Sequence, residues 1–162
     1  MRLHLLLSRS PDQQASELFH ELTKREFAII DHELGSAPAV ELGSFEVAVI
    51  DVGGKADAAV AQTKRWRAEL GDILLPIVWV LPGTSVEMTA RGLEAGADVV
   101  LTHPLEETVL LAQIRAGTRL RFIGARVAAR ANEARLLGEQ LQKVYRQIDR
   151  ELDAARRIQR AN

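Results

Sequence analysis

The chain has 162 residues, is 47% apolar and carries a net charge of −1, which is enough apolar material for one core plus an appendage. It contains no cysteine, which excludes disulfide staples and thiolate metal sites and agrees with a cytoplasmic setting. The opening MRLHLLLSRS has an apolar core of only residues 3–7, too short for a secretory signal, and no run reaches transmembrane length, so a soluble protein is expected.

Five short apolar runs predict strands over 3–7, 27–31, 47–51, 77–81 and 99–101. They are nearly unbroken by polar residues, as strands buried on both faces read. Helical spacing covers 11–22, 56–70 and 85–95; Pro11 and Asp12 suit a first turn, and Ser85 with Glu87 suits a helix start. Strands alternating with helices predict an α/β domain with a parallel sheet. The stretch HELGSAPAVELGS (32–44) is punctuated by Gly35, Pro38 and Gly43, which predicts a shortened or missing second helix.

No proline follows Pro104. From Val127 a heptad places Val127, Ala134, Leu141, Ile148 and Ala155 at a, with Leu137, Val144 and Ile158 at d; Arg130 and Glu151 interrupt the seam. A helix of ~35 residues spans roughly 50 Å, and its apolar stripe needs a partner. A parallel homodimer is the expected solution. The expected organisation is therefore a domain over 1–122 and a coiled coil over 123–162. Charge divides similarly: residues 1–114 hold 9 basic and 17 acidic side chains (net −8), and residues 115–162 hold 12 and 5 (net +7). The arginines are spread around the helix, so a solvated face is expected rather than a nucleic-acid surface.

The block GADVVLTHPLEE (96–107) resembles the final strand and turn of response-regulator receiver domains, the CheY-like family, which typically read Gly-Ala-Asp-Asp-Tyr-Leu-Thr-Lys-Pro-Phe there. With FEVAVID and LPIVWVLP, the likeness covers residues 1 to about 122. It implies a flavodoxin-like fold, a five-stranded parallel sheet of order 2-1-3-4-5 with its site at the carboxyl ends of the strands. It also implies a cis peptide at His103–Pro104.

The same resemblance implies five working parts. Phosphoryl transfer to an aspartate builds negative charge, which Mg²⁺ and a lysine neutralise while a hydroxyl reads the phosphate. Carried over by position, the phosphoacceptor falls on Asp51. The acidic pair falls on Ser8 and Arg9, the hydroxyl on Leu81, the lysine on His103 and the aromatic switch on Val100. Loss of the carboxylates predicts no metal and no cofactor. Mg²⁺ remains the alternative, with Asp12 as either a ligand or a helix N-cap. Arg9 is expected to sit beside Asp51 and satisfy it, and His103 to replace the lysine poorly. The expectation is a degenerate receiver, or pseudo-receiver; a phosphoreceiver working through Asp51 is the alternative.

Other motifs add little chemistry. GGK (53–55) reads as a loop rather than a phosphate-binding motif. His4 reads as a core or edge histidine, and His4, His20, His32 and His103 lack metal-ligand spacing. Trp79 is expected in the core, and neither it nor Trp66 has the basic interleaving of a base-stacking platform. No catalytic constellation is present, so no enzyme activity is expected.

The ending ELDAARRIQRAN (151–162) resembles the helix ahead of PPM-type (SpoIIE-like) serine/threonine phosphatase domains; antiterminators with an RNA-binding ANTAR module offer a competing likeness. These resemblances imply the regulatory module of a two-component (phosphorelay) response regulator. It is expected to form a homodimer, to answer to a histidine kinase or regulatory protein, and to control an output domain beyond Asn162. Neither membrane nor nucleic acid is an expected partner.

Overall fold

The computed structural model describes residues 3–11, 27–37 and 41–162. Five strands, β1 (Leu3–Arg9), β2 (Phe27–Glu33), β3 (Val47–Asp51), β4 (Ile77–Leu81) and β5 (Val99–Thr102), form one parallel sheet in the order β2-β1-β3-β4-β5. This is the flavodoxin-like α/β arrangement, and the His103–Pro104 peptide is cis.

Strand alternation explains the unbroken apolar runs. Leu6, Ala48, Ile50, Ile77 and Trp79 turn to one side, against Ala59, Trp66 and Leu70 of α1 (Ala56–Leu70). Leu5, Leu7, Val47, Val49, Val78 and Val80 turn to the other, against Leu110, Leu111 and Ile114 of α3 (Glu107–Ala161). Both faces are covered, so every position of β3 and β4 ahead of Asp51 and through Leu81 is apolar. The outer strands β2 and β5 are half-buried, which corrects the expectation of burial on both faces for their runs: each pairs on one side only. β1 and β2 also run two residues further than their apolar cores, bringing Ser8, Arg9, His32 and Glu33 into the sheet. His4 is exposed, not a core residue.

Helix α2 (Val86–Ala95) begins where Ser85 Oγ accepts from the Met88 amide at 3.2 Å, and it ends at Gly96. Gly96 has φ +114°, a left-handed cap conformation that glycine adopts without a Cβ penalty. The Gly-Ala-Asp block proves to be a fastening. Arg67 of α1 donates Nε and Nη2 to the Gly96 carbonyl (2.8 and 2.6 Å), Nη1 to the Leu75 carbonyl (2.7 Å), and Nη2 to Asp98 Oδ2 (2.7 Å). Asp98 Oδ2 also accepts from the Ile77 amide at 2.7 Å, tying the start of β4 to β5.

The helix expected over 11–22 lies outside the described residues beyond Pro11, which sits in a turn. Between β2 and β3 the described residues form a turn and a single 3-10 turn, Leu42–Ser44. Helix α3 is one element, continuous through Gly117 and Gly124.

The chain divides into two units, Met1–Gly124 and Ala125–Asn162. In the first, α3 is anchored by Arg121, whose Nη1 and Nη2 reach the carbonyls of Leu74 (3.0 Å) and Gly43 (2.7 Å). The second unit is helix almost to its end, with every residue exposed. Its surface carries pairs of helical spacing such as Arg135–Glu139 and Gln147–Glu151. Among the described residues, no helix is long and apolar enough to cross a membrane.

Candidate functional site at the carboxyl edge of the sheet

A parallel sheet delivers the carboxyl ends of all its strands to one edge. Asp51 closes β3 and Leu81 closes β4, Ser8 and Arg9 close β1, and His103 follows β5. Five of the six carried-over positions therefore meet at this edge. Val100 does not: it sits opposite Trp79 within the sheet and packs on the core beside α1 and α2.

Asp51 is half-buried, and burial pushes its carboxyl above the ordinary aspartate value. Three influences oppose that rise, in decreasing order: the His103 charge, the Gly53 backbone N–H and the Arg9 charge. The Arg9 charge acts on Asp51 as expected, but as the smallest of the three. Arg9 Nε donates to Asp31 Oδ1 at 2.9 Å. The register explains why. Arg9 lies opposite Glu33 on β2, and Asp31 is two residues earlier on the same face of that strand. His103 is held by its amide on the Leu81 carbonyl at 2.9 Å, next to Asp51 at the sheet edge.

Ser8 is fully buried and belongs to a chain of hydrogen bonds. Gln62 Nε2 donates to Ser8 Oγ at 2.5 Å, and Gln62 Oε1 accepts from the Gly35 amide at 2.6 Å. Ser8 Oγ lies 3.2 Å from His32 Nδ1, and Ser36 Oγ lies 3.3 Å from His32 Nε2 and donates to the Glu33 carbonyl at 2.8 Å. Donor counting then orients every proton. Ser8 accepts from Gln62 and gives its own proton to His32 Nδ1. His32 keeps its proton on Nε2 for Ser36, which passes its own to Glu33. Burial lowers the His32 pKa, aided by the Arg65 charge and opposed by Ala37 backbone hydrogen bonding and Glu33. The Trp66 ring meets the imidazole edge-on, with centroids 5.6 Å apart.

This donor set does not fit a hard dication. Ser8 is committed to neutral partners, Arg9 brings positive charge, and Leu81 is apolar and buried. Among the described residues no three His, Asp or Glu side chains converge; Asp12 lies outside them. Leu81, at the position of the family's phosphate-reading hydroxyl, helps line an apolar pocket of about 210 Å³ with Gly53, Ala56, Pro82 and Met88. His32, Gln62 and Asp31 belong to no motif. Their sequence signal is confined to polar residues at the ends of apolar runs, and only the strand register and α1 bring them to Ser8 and Arg9.

No family model matches the chain, and no curated protein sequence matches it. Solved structures do. A two-component response regulator from Clostridium difficile superposes with a TM-score of 0.56 at 16% identity, covering 73% of this chain and 97% of that one. A response regulator from Burkholderia pseudomallei, solved with a phosphorylated aspartic acid, calcium ion and citrate, gives 0.56 at 18% identity, covering 72% and 69%. The receiver domain of Francisella response regulator 1452 gives 0.57 at 17% identity, covering 73% and 98%. At such identities the likeness is one of fold: the first unit has the receiver-domain fold of two-component response regulators.

Proposed function

We propose that this chain is the regulatory part of a bacterial signalling protein, a degenerate receiver that works without aspartyl phosphate and dimerises through its C-terminal helix. The observation that carries the reading is the Ser8 network. The position of the first metal-binding carboxylate is filled by a buried hydroxyl already engaged by Gln62 and His32. With Arg9, Leu81 and His103 at the neighbouring positions, Asp51 finds among the described residues neither the anionic oxygens that gather Mg²⁺ nor the hydroxyl that reads a phosphate. The exposed seam of Val127, Leu137, Leu141, Val144, Ile148 and Ile158 supports dimerisation, because an apolar stripe of that length is covered by a second helix in water. Control then comes from a partner protein, and the coil sets the geometry of an output domain, for which a Ser/Thr phosphatase is the leading class.

The test treats the chain with acetyl phosphate and Mg²⁺, then reads intact mass and light-scattering mass. The reading expects an unmodified dimer in both conditions. A phosphoryl adduct that disappears in Asp51→Ala would falsify the phosphate-independent part. A monomer at micromolar concentration would remove the dimer.

A further inference from the structure

The apolar pocket of about 210 Å³ beside Leu81 is space the chain does not fill. It lies between the loop after β3 (Gly53, Gly54), the first residue of α1 (Ala56), the end of β4 (Leu81), and the approach and first turn of α2 (Gly83, Met88). All of these residues belong to the first unit. Open α/β sheets take their ligands at this edge, outside the carboxyl ends of the strands. Two glycines in the wall are glycine for no reason internal to the chain. Neither Gly54 nor Gly83 has a positive φ, and a Cβ on either would meet nothing within 4 Å.

The lining narrows the chemistry of an occupant. Among the described residues, no charged side chain lines the pocket. Its hydroxyl, Ser85 Oγ, already accepts from the Met88 amide and caps α2. Asp51 accepts from the Gly53 N–H and brings negative charge to the edge, which disfavours an anion; a cation finds no carboxylate in the lining. The Met88 thioether packs well against aromatic rings. An apolar cavity of about 150 Å³ takes up benzene, so this one has room for a second ring. The exposed neighbours Lys55, Asp57, Thr84 and Glu87 are polar, with Val86 as the exception, so the apolar area ends near the mouth and does not spread into a docking face. We infer that this pocket binds a small uncharged aromatic molecule of one or two rings. Its occupant would bridge the starts of α1 and α2, which the Arg91–Asp57 ion pair already ties on one flank.

Indole is the probe, with tryptamine and indole-3-acetate as its cationic and anionic relatives. Each is titrated into the full chain while backbone amide shifts are followed by NMR. Indole is expected to move the amides of Gly53, Gly54, Gly83 and Met88 saturably. The charged relatives are expected to bind at least about tenfold more weakly, because their charge gains no partner in the lining. Gly83→Leu places four carbons where the wall is open and should weaken indole by about tenfold. Amides that stay still under indole, or move evenly across the sheet, overturn the inference. So do equal affinities for the three probes, or an unchanged affinity in Gly83→Leu. The test involves neither Mg²⁺ nor a second copy, so its failure leaves the phosphate-independent reading and the dimer where they stand.

Discussion

Ser8 and Gln62, 54 positions apart, meet in the core through a 2.5 Å hydrogen bond between the end of β1 and the middle of α1. The bond sets the proton direction at Ser8, whose hydroxyl then faces His32 and ties β1 to α1 and β2. Ser8→Ala leaves one Gln62 N–H and the His32 Nδ1 lone pair buried without partners. An unsatisfied buried group costs about 1–3 kcal/mol, so the variant's urea midpoint should fall clearly at fixed protein concentration. An unchanged midpoint would show that the network adds nothing.

His32 gives the fold an acid-sensitive point. Its folded pKa lies below the ordinary histidine value of 6.5, so between the two the unfolded chain binds more protons. The stability contributed by neutral His32 is full above pH 6.5. It is lost as pH falls from there through the depressed folded value. Melting temperature measured from pH 7.5 down to 5 should decline, and His32→Gln should flatten that slope whatever its starting stability. Parallel slopes in the two proteins would dismiss His32 as the cause.

Asp51 works in the opposite sense. Burial raises its folded pKa above the reference value of 3.8, so the native state holds the proton more tightly. Stability falls as pH rises through that window and stays lowered above it. Asp51→Asn removes the ionisable group while keeping its shape. It is expected to raise the melting temperature at pH 7. At pH 3 the gain should vanish. A loss of stability at pH 7 would mean that the carboxylate makes an ionic contact worth more than its burial.

The sheet was legible because β3 and β4 are covered on both faces, which forces unbroken apolar runs, and Asp51 ends one of them. The edge strands were less legible. β2 exposes three of its seven residues, so its run of FAII gave no hint that His32 continues the strand and turns inward. The site divides in the same way. Asp51 and Leu81 close their strands, His103 follows one, and all three were readable in position, but the Arg9–Asp31 pair depends on register across two parallel strands that no local pattern encodes. Likewise, Gln62 carries no motif, and α1 has to dock before its amide can reach Ser8. The helix itself was readable in the proline-free stretch after Pro104.

Two glycines with the same apparent crowding should respond oppositely to a methyl group. A Cβ on Gly92 of α2 would lie 2.7 Å from Trp79 Cε3, and one on Gly124 of α3 would lie 2.7 Å from Leu74 Cδ2. Alanine gains about 1 kcal/mol over glycine inside a helix, so the obstacle decides the sign. Trp79 is fully buried and its Nε1 is tied to Thr63 Oγ1 at 2.9 Å, so the ring has nowhere to turn. Overpacking there costs about 1–3 kcal/mol, and Gly92→Ala should lower stability. Leu74 is 40% exposed, so its terminal methyl can swing into solvent, and its Cβ, 3.1 Å away, has to give by only a few tenths of an ångström. Gly124→Ala should therefore be neutral or stabilising by up to about 1 kcal/mol. Urea midpoints of the two variants against the parent, at one protein concentration, decide it. Equal losses in both would show that Leu74 is held as rigidly as Trp79.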